Sequence, residues 1–221
     1  MAVNEDVHSQ DGPVSRRTRG RPRLEDVADL EKELLDVALN EFLKNGYGGT
    51  SIAKIVKIAG ISKTTLYSRF SSKRELFLSV MERLIGSNVI ADMLPLDELP
   101  ADLESGLIAF GQKALGISTG TVARGMVRLI YSEAHRFPEI GEAGIQQVDA
   151  AIVTITKFFE KCAIEEGIPC KHPEVQAEIF IRLMRGFHVE ALHLDREIPT
   201  STRDAYVKNV VQTMLYSREN W

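Results

Sequence analysis

The sequence predicts an all-α protein that combines a small N-terminal three-helix unit with a larger helical body. Apolar residues recur at steps of three and four along most of the chain, and no segment shows sustained strand-like alternation. Three helix-start signals also fall between Thr50 and Ser72, which indicates short helices packed at steep angles. We expect a disordered segment with a basic arm at 1–25, the three-helix unit at 26–72 and the body at 73–221.

Charge is unevenly distributed along the chain. The 221 residues carry a net charge of −4, yet residues 1–83 hold 14 Lys and Arg against 12 Asp and Glu, whereas residues 84–221 hold 13 against 19. An acidic body joined to a locally basic N-terminal part suits a protein in which only that part contacts phosphate groups.

The composition also bears on the compartment. No apolar run approaches the roughly 18 residues that span a bilayer, and the N-terminus MAVNEDVHSQDG is too polar for a secretory signal. We therefore expect a cytoplasmic protein with no membrane partner. Cys162 and Cys170 are the only cysteines, and in the cytoplasm they are predicted to be reduced, structural thiols.

Residues 16–23 form a short basic arm, RRTRGRPR, with five arginines and no acid. The glycine and the proline within it disfavour a helix. An extended strip of this kind suits insertion of Arg19, Arg21 and Arg23 into the narrow minor groove of A·T-rich DNA. The alternative is a solubilising tail that attracts phosphate without specificity.

The first helix is predicted to run from Asp26 to the Asn45-Gly46 stop, and one of its faces is apolar. Thr50 or Ser51 then caps a second helix. Further on, Ser72 and Glu75 match a capping box that opens a longer helix, LFLSVMERLI.

The segment from Thr50 to Arg74, TSIAKIVKIAGISKTTLYSRFSSKR, is typical of a helix-turn-helix. A short helix ends at Ala59-Gly60, a tight turn follows, and Ser62 caps a second short helix. From Lys44 to Arg74 the chain has seven Lys or Arg and no Asp or Glu. A compact unit with a basic exposed face is what the major groove of DNA requires.

The second short helix carries the predicted base contacts. With Ser62 as its N-cap, Lys63, Thr64 and Thr65 occupy the first turn, which is the part of a recognition helix that reaches base edges. Lys63 suits guanine O6 and N7, and the threonines offer a hydroxyl to a base or phosphate or a methyl to thymine. Leu66 is expected to face inward, together with Phe70.

Four other residues are predicted to hold DNA phosphates. Tyr67 points sideways from the second short helix, so that its hydroxyl meets the backbone. Thr50 and Ser51 lie at one helix start and Lys73 at another. Helix N-termini present free N–H groups and a positive dipole, which favours phosphate there.

Residues 30–83 resemble the DNA-binding domain of TetR-type (tetracycline-repressor-like) regulators, through the string LLDVALNEFLKNGYGGTSIAKIVKIAGISKTTLYSRFSSKRELFLSVME. GISKTTLYSRFSSKRELF is its most specific part, RGRPR resembles the arm of many members, and YSEAHRFPEIGEAG resembles part of the C-terminal domain in one subgroup. Ser68-Arg69-Phe70 departs from the pattern, in which an aromatic residue often precedes the Phe. The DNA contacts implied by the resemblance are Thr50, Lys63, Thr64, Thr65, Tyr67 and Lys73.

The resemblance also implies that the remaining helices form a ligand-binding and dimerisation domain. After a linker bracketed by Pro95 and Pro100, five longer helices are predicted in the body. They are Leu103–Leu115, Thr121–His135, Glu139–Glu166, Pro173–Leu194 and Thr202–Ser217.

A dimer is expected because one recognition helix contacts too little DNA. Two copies of the N-terminal three-helix unit, which we call the head, reach successive major grooves when they lie about 34 Å apart. The last two helices are expected to pair across a two-fold axis as a four-helix interface. The alternative is that their apolar stripes are core of a single chain. The predicted interface residues are Phe180, Leu183, Met184, Phe187, Val207, Val210, Val211 and Met214.

The middle helices are expected to enclose a cavity for a small-molecule effector. Each predicted lining residue is also readily explained as ordinary core. The predicted lining consists of Phe110, Met126, Ile130, Glu133 and Phe159.

These features predict a dimeric, sequence-specific transcriptional regulator that a small-molecule effector releases from a palindromic DNA operator. An architectural A·T-rich DNA-binding protein without an effector is the alternative. An enzyme is not expected, because the chain lacks the Walker A, dinucleotide-binding, nucleophile-elbow and zinc-protease motifs. We predict no cofactor and no metal, since His188 and His193 are five apart and fit one helix face poorly.

Overall fold

The computed structural model describes residues 24–86, 95–193, 197–218 and 221. Within these ranges the chain forms nine α-helices and no β-strand, which confirms the all-α class. A 3-10 turn, Leu96–Glu98, precedes the body helices. The helices are α1 (Leu24–Gly49), α2 (Ile52–Ile58), α3 (Lys63–Tyr67), α4 (Lys73–Gly86), α5 (Leu103–Ser118), α6 (Thr121–Glu133), α7 (Pro138–Glu165), α8 (Pro173–His193) and α9 (Thr200–Tyr216).

Two glycines set the ends of the N-terminal helices. Gly46 has φ of 66° and interrupts α1, and Gly60 has φ of 66° and reverses the chain between α2 and α3. L-residues with a side chain rarely adopt this left-handed conformation, so glycine is favoured at both positions. The predicted stops at Asn45-Gly46 and Ala59-Gly60 are confirmed, and α5 to α9 match the five predicted body helices to within three residues at each end.

The first hydrophobic core, which we call the head core, is built by α1 to α4. The rings of Phe42 and Phe77 meet edge to face with 4.9 Å between their centroids. The expected domain boundary at residue 73 is the start of α4, whose buried side chains pack in this same core. The buried residues from these helices and their connections are Leu34, Leu35, Ala38, Phe42, Tyr47, Ile55, Val56, Leu66, Phe70, Leu76, Phe77, Val80, Met81 and Ile85.

The body enters the head core at the corner between α6 and α7. Phe137, the residue before α7, has its ring centroid 4.8 Å from that of Tyr47 and 4.9 Å from that of Phe77. Leu129 and Ile140 are buried beside it in the same core. The two parts of the protein are therefore joined by shared hydrophobic packing and not only by the covalent chain.

A second hydrophobic core, the body core, lies between α5, α7, α8 and α9. Gly111 of α5 allows close approach to α9, because a Cβ at this position would lie 2.6 Å from Cγ1 of Val207. Trp221, at the end of the chain, packs edge to face on Phe159 with 5.5 Å between ring centroids. The other buried residues of the body core include Leu103, Leu107, Phe110, Leu115, Ile155, Phe158, Cys162, Phe180, Ile181 and Met184.

The body core contains most of the residues that were predicted at the dimer interface. Of the eight predicted residues, only Leu183 is exposed and only Phe187 is half-buried. The six others are buried within the chain, which is what the alternative interpretation, intramolecular core, expects. They are Phe180, Met184, Val207, Val210, Val211 and Met214.

Both cysteines carry free thiols, and Cys162 is buried in the body core. Burial, with help from the carboxylates of Glu166 and Glu165, raises the pKa of the Cys162 thiol to about 11. The unreactive thiol form therefore dominates at neutral pH. Among the described residues, no helix combines the length and the apolarity that crossing a membrane requires.

His188 of α8 predicts a pH-dependent stability. Burial lowers the pKa of its imidazole below the usual value, and the Arg185 guanidinium lowers it further, so the folded state holds this side chain neutral. Below about pH 6.5 the unfolded chain takes up a proton that the folded chain does not, and the free energy of unfolding falls by at most about 1.4 kcal/mol per pH unit. Above that pH this loss is absent.

Urea unfolding at pH 5.5, 6.5 and 7.5 measures this effect. We expect His188→Leu to flatten the dependence, because Nδ1 of His188 has no hydrogen-bond partner to lose. His172→Leu, at an exposed position, serves as the control and should leave the wild-type dependence unchanged. Parallel curves for wild type and His188→Leu would contradict the prediction.

Candidate DNA-binding surface

The recognition helix α3 is only five residues long, and two features hold it in place. Its N-cap, Ser62, accepts a hydrogen bond from the backbone N–H of Thr65 at 3.0 Å, which confirms the predicted cap. Leu66 and Phe70 are buried in the head core, as predicted. The orientation of α3 therefore depends on one apolar anchor inside the helix and one just beyond it.

The exposed side of α3 carries most of the predicted base-contacting tip. Lys63 and Thr64 are exposed, and 47% of the Tyr67 side chain is accessible. Thr65 differs, because it is half-buried and its hydroxyl lies 2.8 Å from Oγ of Ser62. That hydroxyl already has a partner within the helix, so its methyl is the better candidate for a base contact.

The two predicted phosphate contacts at the start of α2, Thr50 and Ser51, differ in exposure. Thr50 is buried, and its hydroxyl donates to the carbonyl of Gly46 at 2.7 Å, with the carbonyl of Glu41 at 3.0 Å. The hydroxyl thus stabilises the connection between α1 and α2 and is not presented to a ligand. Ser51 is the N-cap of α2, is exposed, and makes no capping bond through its side chain.

A buried carboxylate also joins α1 to α2. Glu41 accepts a hydrogen bond from Nδ2 of Asn45 at 3.1 Å and pairs with Nζ of Lys54 at 2.9 Å. Losing one partner of such a buried pair leaves an uncompensated charge, which is costly. Glu41 therefore positions the helix-turn-helix without facing DNA. No local pattern predicts this ion pair, because Glu41 and Lys54 are 13 residues apart.

The basic face of the helix-turn-helix carries less free charge than its sequence suggests. Among the residues that the structure describes, acids from outside the segment pair with three of its seven cations. The three ion pairs are Lys54 with Glu41, Arg69 with Glu31, and Arg74 with Glu139.

The N-terminus of α4 is capped by two serines. Ser72 accepts from the backbone N–H of Glu75 at 3.1 Å, which is the first half of the predicted capping box. The second half is different, since the Glu75 carboxylate accepts from the backbone N–H of Ser71 at 2.6 Å and not from Ser72. The hydrogen bond from the Ser71 hydroxyl, followed by this bond from its backbone N–H, lowers the pKa of Glu75.

Lys73, the first residue of α4, lies against an aromatic ring. Its Nζ is 4.6 Å from the ring centroid of Tyr47 and 3.4 Å from the carbonyl oxygen of Gly48. The guanidinium carbon of Arg136, from the α6–α7 corner, is 4.5 Å from the same centroid. Partial burial and the charge of Arg136 lower the pKa of Lys73, while Glu133 opposes them. Sequence reasoning missed Arg136, although it lies within the YSEAHRFPEIGEAG segment.

The three arginines of the predicted minor-groove arm, Arg19, Arg21 and Arg23, lie outside the described residues. Of the predicted DNA contacts that are described, five lie at exposed or half-buried positions around the helix-turn-helix. They are Ser51, Lys63, Thr64, Tyr67 and Lys73.

The predicted effector-binding residues do not gather around one cavity. Phe110 and Phe159 are fully packed in the body core, whereas Ile130 packs against the head core. Met126 and Glu133 are half-buried on α6. A cleft of about 590 Å³ lies instead between α4 and α7, and it is lined by Leu78, Met81, Glu82, Ile85, Glu139, Ile140, Ala143, Gln146 and Gln147.

Two family models match the chain. The model for bacterial regulatory proteins of the tetR family matches residues 34–80. The model for the C-terminal domain of AefR-like transcriptional repressors matches residues 105–217, which is about half of the chain.

Among curated proteins, the chain is 37% identical over 70 residues to the HTH-type transcriptional repressor ComR of Escherichia coli, covering 32% of this chain and 31% of that protein. It is 42% identical over 53 residues to the HTH-type transcriptional regulator QacR of Staphylococcus aureus, covering 24% and 28%. The matched part thus spans about a third of each relative. A 25% identical match over 195 residues to the regulator YhgD of Bacillus subtilis covers 81% of this chain and 95% of that one.

Solved structures share the fold. A TetR-family protein from Mesorhizobium loti superposes with a TM-score of 0.73 at 23% identity, covering 86% of this chain and 96% of the other. A TetR-like regulator from Rhodococcus sp. RHA1 gives 0.62 at 20% identity, covering 89% and 99%.

The N-cap residues of α2 and α3, Ser51 and Ser62, allow a matched test of whether the Ser62 cap stabilises the recognition helix. Ser62→Ala removes the bond to the Thr65 N–H and should lower the free energy of unfolding by about 1 kcal/mol. Ser51→Ala removes a serine at the same kind of position that makes no capping bond, and its cost should be only a few tenths of a kcal/mol. Urea unfolding followed by circular dichroism measures both, and equal losses would argue against the role of Ser62.

Proposed function

The chain belongs to the tetR family of bacterial regulatory proteins, and we propose that it is a dimeric repressor which a small-molecule effector releases from a palindromic DNA operator. The observation that carries the DNA-binding half of this proposal is the exposed tip of α3. Lys63 and Thr64 project from a helix that is capped by Ser62 and anchored by Leu66. This is the geometry by which a recognition helix places its first turn in the major groove.

Phosphate contacts on both sides of α3 would set its depth in the groove. Tyr67 projects from α3 itself, Ser51 lies at the N-terminus of α2, and Lys73 lies at the N-terminus of α4. Contacts of this kind fix register and orientation, while the base contacts supply specificity. Thr50 contributes through the fold, since its hydroxyl is bonded internally.

The proposed dimer uses the outer face of α8. Val175, Ile179 and Leu183 recur at steps of four and are 44%, 42% and 40% exposed. Phe187, half-buried, continues the stripe and packs on Tyr206 of α9 with 4.6 Å between ring centroids. A row of exposed apolar side chains on one helix suits a second copy of the same row across a two-fold axis.

Release by an effector is proposed as a population shift. The corner of α6 and α7 packs in the head core, so a body conformation that moves this corner also reorients the heads. A ligand that binds such a conformation more tightly lowers DNA affinity by its differential binding free energy. The cleft between α4 of the head and α7 of the body is lined by residues of both helices, and it is the candidate effector-binding site.

The test of the function is selection of bound duplexes from a random DNA pool by the purified full chain. We expect an inverted repeat whose half-sites are about one helical turn apart, or a multiple of it. Enrichment of A·T-rich DNA without a repeat would instead indicate an architectural protein. No enrichment of any duplex at low salt would refute DNA binding.

Lys63 should then read a base. Lys63→Ala is expected to weaken binding to the selected duplex by about 1–3 kcal/mol and to relax preference at one position of each half-site. Lys161→Ala, which removes the same side chain from an exposed position on α7, is the control and should bind like wild type. Fluorescence anisotropy with single-base variants of the duplex gives both quantities, and undiminished affinity and preference would exclude Lys63 from the interface.

Charge placed in the α8 stripe should separate the dimer. Ile179→Asp puts a carboxylate into the proposed interface, where burial without a partner is unfavourable, and we expect a monomer with at least tenfold weaker binding to the palindrome. Val153→Asp alters a similarly exposed apolar position on α7 and should leave the dimer intact. Sedimentation equilibrium distinguishes the two, and an unchanged mass for Ile179→Asp would place the interface elsewhere.

A further inference from the structure

The ring of Tyr47 carries two cations that come from different parts of the protein. Lys73 belongs to α4 of the head, and Arg136 belongs to the corner between α6 and α7 of the body. Their charged groups lie 4.6 Å and 4.5 Å from the ring centroid. Both distances are within the range of a cation–π interaction.

The ring is a rigid platform for these cations. Tyr47 is buried in the head core and stacks with Phe42 at 6.2 Å between centroids, with Phe77 and Phe137 at its edges. The backbone of Arg136 is held by its N–H bond to the carbonyl of Glu133 at 2.9 Å, and its guanidinium carbon lies 4.5 Å from the Tyr47 centroid and 5.6 Å from that of Phe137. A side chain that is already ordered loses little entropy when it binds a ligand.

Within the part of the chain that the structure describes, neither cation is paired with a carboxylate. No carboxylate of the described residues lies within ion-pair distance of Lys73 or of Arg136, in contrast to Arg74, which pairs with Glu139. The lowered pKa of Lys73 has the same physical origin, since burial and a neighbouring positive charge both disfavour its ammonium form. Glu133 acts in the opposite direction, but its effect is the smallest of the three. Both cations lie against the same ring, and Arg136 is near enough to Lys73 to lower its pKa, so an anion that both can reach is favoured there.

The position of this pair points to a DNA phosphate. Lys73 begins α4, where free backbone N–H groups already favour an anion, and its Nζ approaches the carbonyl of Gly48 just before α2. Arg136 is exposed. A guanidinium donates two parallel hydrogen bonds to a phosphate, whereas an ammonium acts as a point charge.

We infer that the body itself contributes to DNA binding, through a backbone phosphate held jointly by Arg136 and Lys73. This inference rests on the proposed function and extends the DNA contact surface beyond the helix-turn-helix. One phosphate then bridges head and body, so any conformation that withdraws the α6–α7 corner from the head also loses this contact.

Salt-dependent DNA binding tests the inference. The probes are the duplex recovered by selection and a duplex of the same length with scrambled sequence. Arg136→Gln should reduce the slope of log Kobs against log salt by about 0.9 for each protomer bound. On both duplexes, the fall in affinity between 50 and 200 mM salt should shrink by about three- to fourfold per lost contact. The preference for the selected duplex should not change.

Two variants serve as controls. Lys157→Gln removes an exposed positive charge about 28 Å further along α7 and should keep the wild-type slope. Arg136→Lys keeps the charge at the site and should restore most of the slope.

The outcomes separate the inference from the function on which it rests. If wild type binds neither duplex, the proposed function fails. If wild type binds and Arg136→Gln has the slope of wild type and of Lys157→Gln, only the inference is overturned. It is also overturned if Arg136→Gln lowers the thermal unfolding midpoint and Arg136→Lys does not restore the slope, because the residue would then be structural.

Discussion

The packing of Phe137 against Tyr47 and Phe77 is the contact on which the arrangement of this protein depends. Three aromatic rings from two parts of the chain share one core, with centroids about 5 Å apart. Aromatic pairs at such distances add to the free energy gained by burying their area. Because packed cores have discrete arrangements and do not deform continuously, the head has a defined orientation relative to the body.

That constraint connects the fold to regulation. The same corner that supplies Phe137 also supplies Arg136 to the surface and Glu139 to the ion pair with Arg74. Apolar packing, a cation–π contact and an ion pair are therefore concentrated within four consecutive residues of the body, 136–139. A change in the body that shifts this corner would alter the packing of the head and the charge beside its DNA-binding helices together, which is the coupling that the proposed release by an effector requires.

Within the head, buried polar bonds determine how α2 lies on α1. The carboxylate of Glu41 and the hydroxyl of Thr50 are both buried, and both are hydrogen-bonded. Buried polar groups with satisfied bonds favour one geometry, because any other leaves a donor or acceptor unpaired. Thr50 matches the family pattern, and in this protein its side chain contributes to the shape of the binding surface from within.

Features that depend on near neighbours are readable from the order of the amino acids. Helix periodicity predicted the body helices, Gly46 and Gly60 predicted the breaks, and Ser62 predicted the cap of the recognition helix. These signals are readable because a cap, a left-handed glycine or an apolar stripe acts within a few residues.

Which surfaces meet became clear from the packing of the folded chain. An apolar stripe on a helix predicts burial but does not name its partner, so Phe180 and Val207 were expected at a dimer interface and lie in the core of one chain. Likewise, a run of lysines and arginines predicts a basic face, but Arg69 is paired with Glu31, which is 38 residues away. Arg136 reaches Tyr47 across an even longer separation. Such contacts depend on how distant segments pack, and no local pattern of residues encodes that.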